Sequence, residues 1–148
     1  MDTKTKLQEA LKDALRTGNQ MRKDTLRMTI AAIKLAEVQP GGKSLDEAAY
    51  LAIVQKEVKS RRESIADAER AQRPDLIAAA EAEIIILEEF LPKSISPAEL
   101  EELARQVIAE TGATSIREMG QVMKTLIPRL QGRATGDQAS QAVRKLLQ

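Results

Sequence analysis

The stretch Ile77-Ala-Ala-Ala-Glu-Ala-Glu-Ile-Ile-Ile-Leu-Glu-Glu-Phe-Leu91 decides the fold class. Taken alone, Ile84-Ile-Ile-Leu87 is a short apolar run that suits a buried strand as well as a helix. Its surroundings favour the helix. Ile77, Ala80, Ile84, Leu87 and Leu91 recur every three or four residues, the helical period. Four consecutive apolar residues sweep a full turn, so the segment is apolar on all sides and is expected to be the buried centre of an N-terminal bundle. Ile84, Ile86 and Leu87 are its expected core residues. Arg73-Pro74-Asp75 opens the helix, because proline fits the first turn and aspartate suits a helix N-terminus. Leu91-Pro92-Lys93 closes it.

Working outward, the same period continues in both directions. Leu7, Leu11, Ala14 and Leu15 precede a natural C-terminal stop at Gly18. Leu26, Ile30 and Ile33 stripe a second helix from Gln20 to about Val38, and Pro40-Gly41-Gly42 breaks the chain after it. Ser44-Leu-Asp-Glu47 has the form of a capping box and opens a long helix with Leu51, Val54, Val58 and Ile65 on one side. Downstream, Ser96-Pro-Ala-Glu99 and Ser115-Ile-Arg-Glu118 have the same form. They lead into stripes at Leu100, Leu103, Val107, Ile108 and at Met119, Val122, Met123, Leu126, Ile127. The second of these helices groups Arg117, Gln121 and Lys124 on its other face. After Gly132–Gly136, a last helix buries Ala139, Val143, Leu146 and Leu147. No stretch alternates at the strand period. The expected fold is all-α: a four-helix N-terminal domain over residues 1–92 and a compact three-helix C-terminal domain over 93–148.

Composition removes most enzyme chemistry. The 148 residues include no cysteine and no histidine. That excludes disulfides, thiolate nucleophiles, Cys- or His-ligated zinc, Ser-His-Asp triads and imidazole proton shuttles. Ser60, Ser64, Ser94 and Ser140 lack a glycine-rich nucleophile context. The residues call for no cofactor, no metal and no catalytic assignment. Tyr50 and Phe90 are the only aromatics, too few for a base-stacking platform, and Phe90 beside Leu91-Pro92 reads as interdomain packing. No apolar run reaches the roughly 18–20 residues that span a bilayer, and the N-terminus leads straight into a polar helical pattern, so a cytoplasmic protein without a membrane partner is expected.

Net charge is +1, but unevenly spread: residues 1–39 carry +3, residues 40–92 carry −4, and residues 117–148 carry +4. An anionic partner is therefore sought at the C-terminal end. Lys124, Arg129, Arg133, Arg144 and Lys145 cluster in sequence around Gly132-Arg-Ala-Thr-Gly136. Glycines at both ends let the chain turn tightly, and the helix that follows offers N–H groups to a phosphate. Long cations around such a turn suit an RNA backbone. The plainer alternative is that these are solvated faces of small helices with glycine caps. Elsewhere, Lys56, Lys59, Arg61 and Arg62 share a helix with Glu57 and Glu63; Glu57 and Arg61 have i,i+4 spacing, which reads as a solvent-laced face. The stem of Arg61 is expected along the apolar seam. Arg22, Lys23, Arg27 and Lys34 make another basic surface, interrupted by Asp24. Glu81, Glu83, Glu88 and Glu89 read as solubilising charges on a very apolar helix.

Several pieces carry a family resemblance: Met119-Gly-x-Val-Met-Lys124, Gly132-Arg-Ala134 and the closing Val143-Arg-Lys-Leu-Leu147, with Leu26-Arg-Met, Gln55-Lys-Glu, Arg61-Arg-Glu-Ser-Ile65 and Glu88-Glu-Phe-Leu-Pro-Lys93 upstream. The chain resembles, over nearly its whole length, the GatB/YqeY family. That family comprises YqeY-like proteins and the C-terminal tail of GatB, the subunit of tRNA-dependent amidotransferase that handles aminoacyl-tRNA. The resemblance implies a tRNA-associated accessory module, with the basic turn as the RNA-engaging region. It also brings the label carbon–nitrogen ligase with glutamine as amido-N donor, an activity that the complete amidotransferase carries in other domains. A helical protein–protein adaptor without RNA binding is the alternative.

Overall fold

A computed structural model describes residues 1–41 and 45–148. Among these residues there are seven α-helices, one 3-10 turn and no strand, in agreement with the all-α expectation. In order they are α1 (Thr3–Thr17), α2 (Gln20–Val38), α3 (Glu47–Arg70), α4 (Pro74–Glu88), α5 (Pro97–Thr111), the 3-10 turn Ile116–Glu118, α6 (Met119–Leu130) and α7 (Gly136–Leu147). The chain divides into two compact units, Met1–Leu91 and Pro92–Gln148.

Side chains cap the N-termini of α1, α2 and α3 in the first unit. Asp2 caps α1, its carboxylate accepting the Thr5 N–H at 2.8 Å, and Gly18 ends it with φ 74°. Asn19 caps α2 in the same way through the Arg22 N–H. The expected box at Ser44 lies outside the described residues; the cap seen on α3 is Asp46, which accepts from the Ala49 N–H at 2.9 Å. Glu47 is turned elsewhere. Its carboxylate accepts from the Thr3 N–H at 3.0 Å and from the Thr3 hydroxyl, satisfying an orphan donor at the start of α1 and placing negative charge there. The first turn of α1 is thereby tied to the first turn of α3.

The core of this unit is shared among the four helices. Leu7, Leu26, Ile33, Val54 and Leu87 are fully buried, joined by Ile30, Tyr50, Val58 and Ile84. Helix α4 is not the all-round buried centre that its composition suggested. It packs on α3 and α2 through Ala80, Ile84 and Leu87, Ile86 is only partly covered, and Ile85 is 68% exposed. A layer of four helices is too thin to surround one of its own members, so an apolar back face is left in solvent. Phe90, expected at an interdomain contact, packs against this same core.

In the second unit α5, α6 and α7 pack pairwise around Leu100, Ala104, Val107, Val122, Leu126, Leu130, Ala139 and Val143. Ser96 caps α5 by accepting from the Glu99 N–H at 3.1 Å, but the reciprocal half of the expected box is replaced by a Glu99–Arg133 contact. The expected box at Ser115 is replaced too: Ser115 makes no side-chain cap, and Glu118 accepts from the N–H and hydroxyl of Thr114. The chain enters α6 through the 3-10 turn instead. Ile127, expected on the buried face, is 42% exposed.

Candidate nucleic-acid interface

The basic turn begins where α6 runs out of hydrogen bonds. Pro128 has no N–H to give the Lys124 carbonyl, and two residues after it the helix stops at Leu130. Gln131 and Gly132 then take left-handed conformations, φ 50° and 78°. Glycine is required at 132 in this sense, but Gly136 is not a turn residue. It is the first residue of α7 and has no positive φ. Thr135 takes the capping role there. Its hydroxyl accepts the Gln138 N–H at 3.1 Å, and Gln138 returns the bond to the Thr135 N–H at 2.9 Å. This box was not anticipated, although Thr135-x-x-Gln138 spells it. It uses part of the donor set that a phosphate would need.

Five cations were expected to act together, and the structure separates them by role. Arg129 is bonded to Glu110 at 2.5 Å, near the end of α5. Arg133 is bonded to Glu99 at 3.3 Å and to the Lys93 carbonyl at 3.1 Å, near the start of α5. Glu99 and Glu110 stand about 16 Å apart along that helix, at about 1.5 Å per residue. The two arginines thus brace opposite ends of α5. Lys124, Arg144 and Lys145 are exposed, and no ion pair joins them to a carboxylate among the described residues. Lys145 borders a groove between α5 and α7 of about 320 Å³, with Ile95, Pro97, Leu100, Glu101 and Gln141 among its walls.

The Arg129 bond holds the Glu110 carboxyl below the usual glutamate range and makes the guanidinium hold its proton more firmly. Both groups stay charged near neutrality, so Arg129 is half neutralised as an anion ligand before any partner arrives.

The first unit holds a polar centre that was only partly foreseen. Arg61 is buried, with 8% of its side chain exposed. It bonds Glu57 at 2.5 Å and Glu83 at 3.0 Å, while its remaining nitrogen faces the Met28 sulfur at 3.9 Å. The Glu57 spacing was readable, but the burial overturns a solvent-laced reading at this position. Glu83 was unreadable as a partner because it comes from another helix. Of the four glutamates on and after α4, Glu83 and Glu89 are ion-paired, the latter with Arg22 at 2.7 Å. Among the described residues no three acidic side chains gather as a metal site, and no described helix is long and apolar enough to cross a membrane.

A family model described as Yqey-like protein matches residues 4–147. Among curated proteins, the Altered inheritance of mitochondria protein 41, mitochondrial, of Lachancea thermotolerans is 33% identical over 91 residues, 62% of this chain and 49% of that protein. Its namesake from Kluyveromyces lactis is 33% identical over 84 residues, 57% of this chain and 45% of that protein. The namesake from Pyrenophora tritici-repentis is 29% identical over 131 residues, 87% of this chain and 71% of that protein. The matches span about half the length of the two yeast relatives.

Proposed function

The chain belongs to the YqeY-like protein family, and from that premise we propose that it is an accessory module without catalysis of its own, whose C-terminal unit holds tRNA by the phosphate backbone. The observation that carries this reading is the set Lys124, Arg144 and Lys145: exposed cations without carboxylate partners, in a segment of charge +4. Arg129 and Arg133 serve the same surface by bracing α5, with their charge already shared with Glu110 and Glu99. Residues 1–92 and 93–148 act as separate domains in this reading, and the protein works in the cytoplasm. The curated relatives are named as mitochondrial; a purified-compartment blot of the source cells tests the location. The likeness to the GatB tail supports tRNA as the RNA, and the amido-transfer label stays with the larger enzyme.

Each phosphate neutralised releases a counterion, so three contacts give a slope of log affinity on log salt of about −2 to −3. Titration of labelled tRNA at several salt concentrations measures it. Affinity should vary little with RNA sequence and fall most for Lys124→Glu and Lys145→Glu. No binding at low salt would discard the reading. The helical adaptor without RNA binding would then stand in its place, favoured by the exposed Ile85 and Leu76 on α4.

A further inference from the structure

Helix α2 carries two apolar stripes, and only one of them is used by the fold. Leu26, Ile30 and Ile33 are buried. On another side lie Met21, Met28, Leu35 and Val38, with Met28, Leu35 and Val38 exposed by 59%, 62% and 76%. Scattered exposed hydrophobics need no explanation. These are not scattered. Met21, Met28 and Leu35 stand seven residues apart, and so do Asp24, Ala31 and Val38, all of them exposed. That alternation of three and four is the seam of a coiled coil, sustained here over about 26 Å of helix. Beside it, Met28 also borders a cleft of about 600 Å³ between α3 and α4 whose walls include Ala71, Leu76 and Ala79, which extends the apolar surface.

The charges along the seam say what covers it. Arg27 and Lys34 stand immediately before Met28 and Leu35, seven residues apart on one flank. Neither joins an ion pair among the described residues, whereas their neighbours in the unit do: Arg22 with Glu89, Lys4 with Glu37, Arg61 with Glu57 and Glu83. We propose that α2 docks an amphipathic helix of another protein, whose apolar stripe is flanked by glutamate or aspartate facing Arg27 and Lys34. A second copy of this chain fits less well. In a symmetric antiparallel pair the flanks bearing Arg27 and Lys34 would face each other, and in a parallel pair they would face Ala32 and Gln39, which supply no carboxylate. A lipid surface is opposed by Asp24, whose carboxylate sits within the seam and takes the Gln20 amide at 2.9 Å. Within a helical partner the same Asp24 sets register by selecting an amide or a cation opposite it. The inference concerns the first unit and holds whether or not the second binds RNA.

The test uses the full chain and a fluorescent peptide of about three heptads, with leucine along the seam except for one asparagine opposite Asp24, and glutamate on both flanks. Its own like charges keep the peptide from pairing with itself. Saturable, salt-weakened binding is expected. Leu35→Glu, and separately the double change Arg27→Glu with Lys34→Glu, should each weaken it by at least about tenfold. Ile85→Glu on α4 should leave it unchanged. Because the three α2 positions are exposed, the variants should keep the wild-type circular dichroism spectrum and melting temperature. Failure of the peptide to bind overturns the proposal, as does equal binding of Leu35→Glu or of a lysine-flanked peptide. Sedimentation revealing a dimer that Leu35→Glu abolishes would assign the seam to a second copy. Adsorption to phosphatidylserine vesicles, lost in the same variant, would assign it to lipid. Either result overturns the proposal.

Discussion

The main-chain N–H of Ile95 donates to the carbonyl of Arg133 at 2.9 Å, and the Arg133 side chain returns across the same gap to the carbonyl of Lys93 at 3.1 Å. A segment ahead of α5 is thus strapped to the turn between α6 and α7 by both parts of one residue. Arg133→Glu would lose the Lys93 bond and set a carboxylate against Glu99. The expected result is a loss of about 1 kcal/mol in the stability of the second unit, measured by urea unfolding. From sequence alone the same change would alter RNA contact and leave stability untouched. A melting temperature equal to wild type would refute the strap.

Neighbours along α4 should respond in opposite ways. Leu87→Ala and Ile84→Ala empty buried volume and are each expected to cost about 2–5 kcal/mol. Ile85→Ala, on the exposed back face, should stay within about 0.5 kcal/mol of wild type. Thermal or chemical denaturation of the three variants decides between a one-sided helix and one buried all round.

Arg61 should be harder to orphan than to replace. Glu57→Ala withdraws an acceptor from a buried guanidinium and is expected to cost about 1–3 kcal/mol. Arg61→Met keeps the stem packed and removes the charge itself, so the loss should be smaller, though Glu57 and Glu83 are freed toward solvent. If Arg61→Met proves the more damaging, the ion pairs carry more of the fold than their burial implies.

Acid should reveal the Glu110–Arg129 bond. The folded-state pKa of Glu110 is depressed. Its contribution is therefore present above the ordinary glutamate range and disappears as pH falls through that range and below it. Melting temperatures recorded from neutrality down to about pH 3 should fall, and Glu110→Gln should flatten the fall at its lower end. An unchanged acid profile in the variant would mean that the bond does not bear on stability, as many exposed pairs do not.

Local structure was legible because helical period and helix caps are written within a few residues. The stripes of α3, α5 and α7, that of α1 apart from the exposed Leu15, and the stop at Gly18 needed nothing beyond their own segments. Three kinds of feature were hidden. Glu110, Glu99 and Glu83 are 19, 34 and 22 residues from their arginines, so no local pattern could pair them. In α4 the apolar residues run all round, and sequence cannot say which side a thin layer leaves bare. On α2 the buried stripe satisfied the expectation of a core face and drew notice from the seven-residue spacing of Met21, Met28 and Leu35. The candidate site suffered most, since a cluster of cations in sequence does not reveal which ones are already engaged.

Tyr50 is the only tyrosine, there is no tryptophan, and its ring lies in the core of the first unit. The protein is therefore labelled by nature at one place. Its intrinsic fluorescence follows the packing of Met1–Leu91 and is blind to Pro92–Gln148, whereas far-ultraviolet circular dichroism sums the helices of both. Divergence of the two signals during unfolding would resolve the units as independent, and coincidence would bind them into one cooperative transition. No dye, tag or engineered reporter is needed to ask whether an event in one unit is felt by the other.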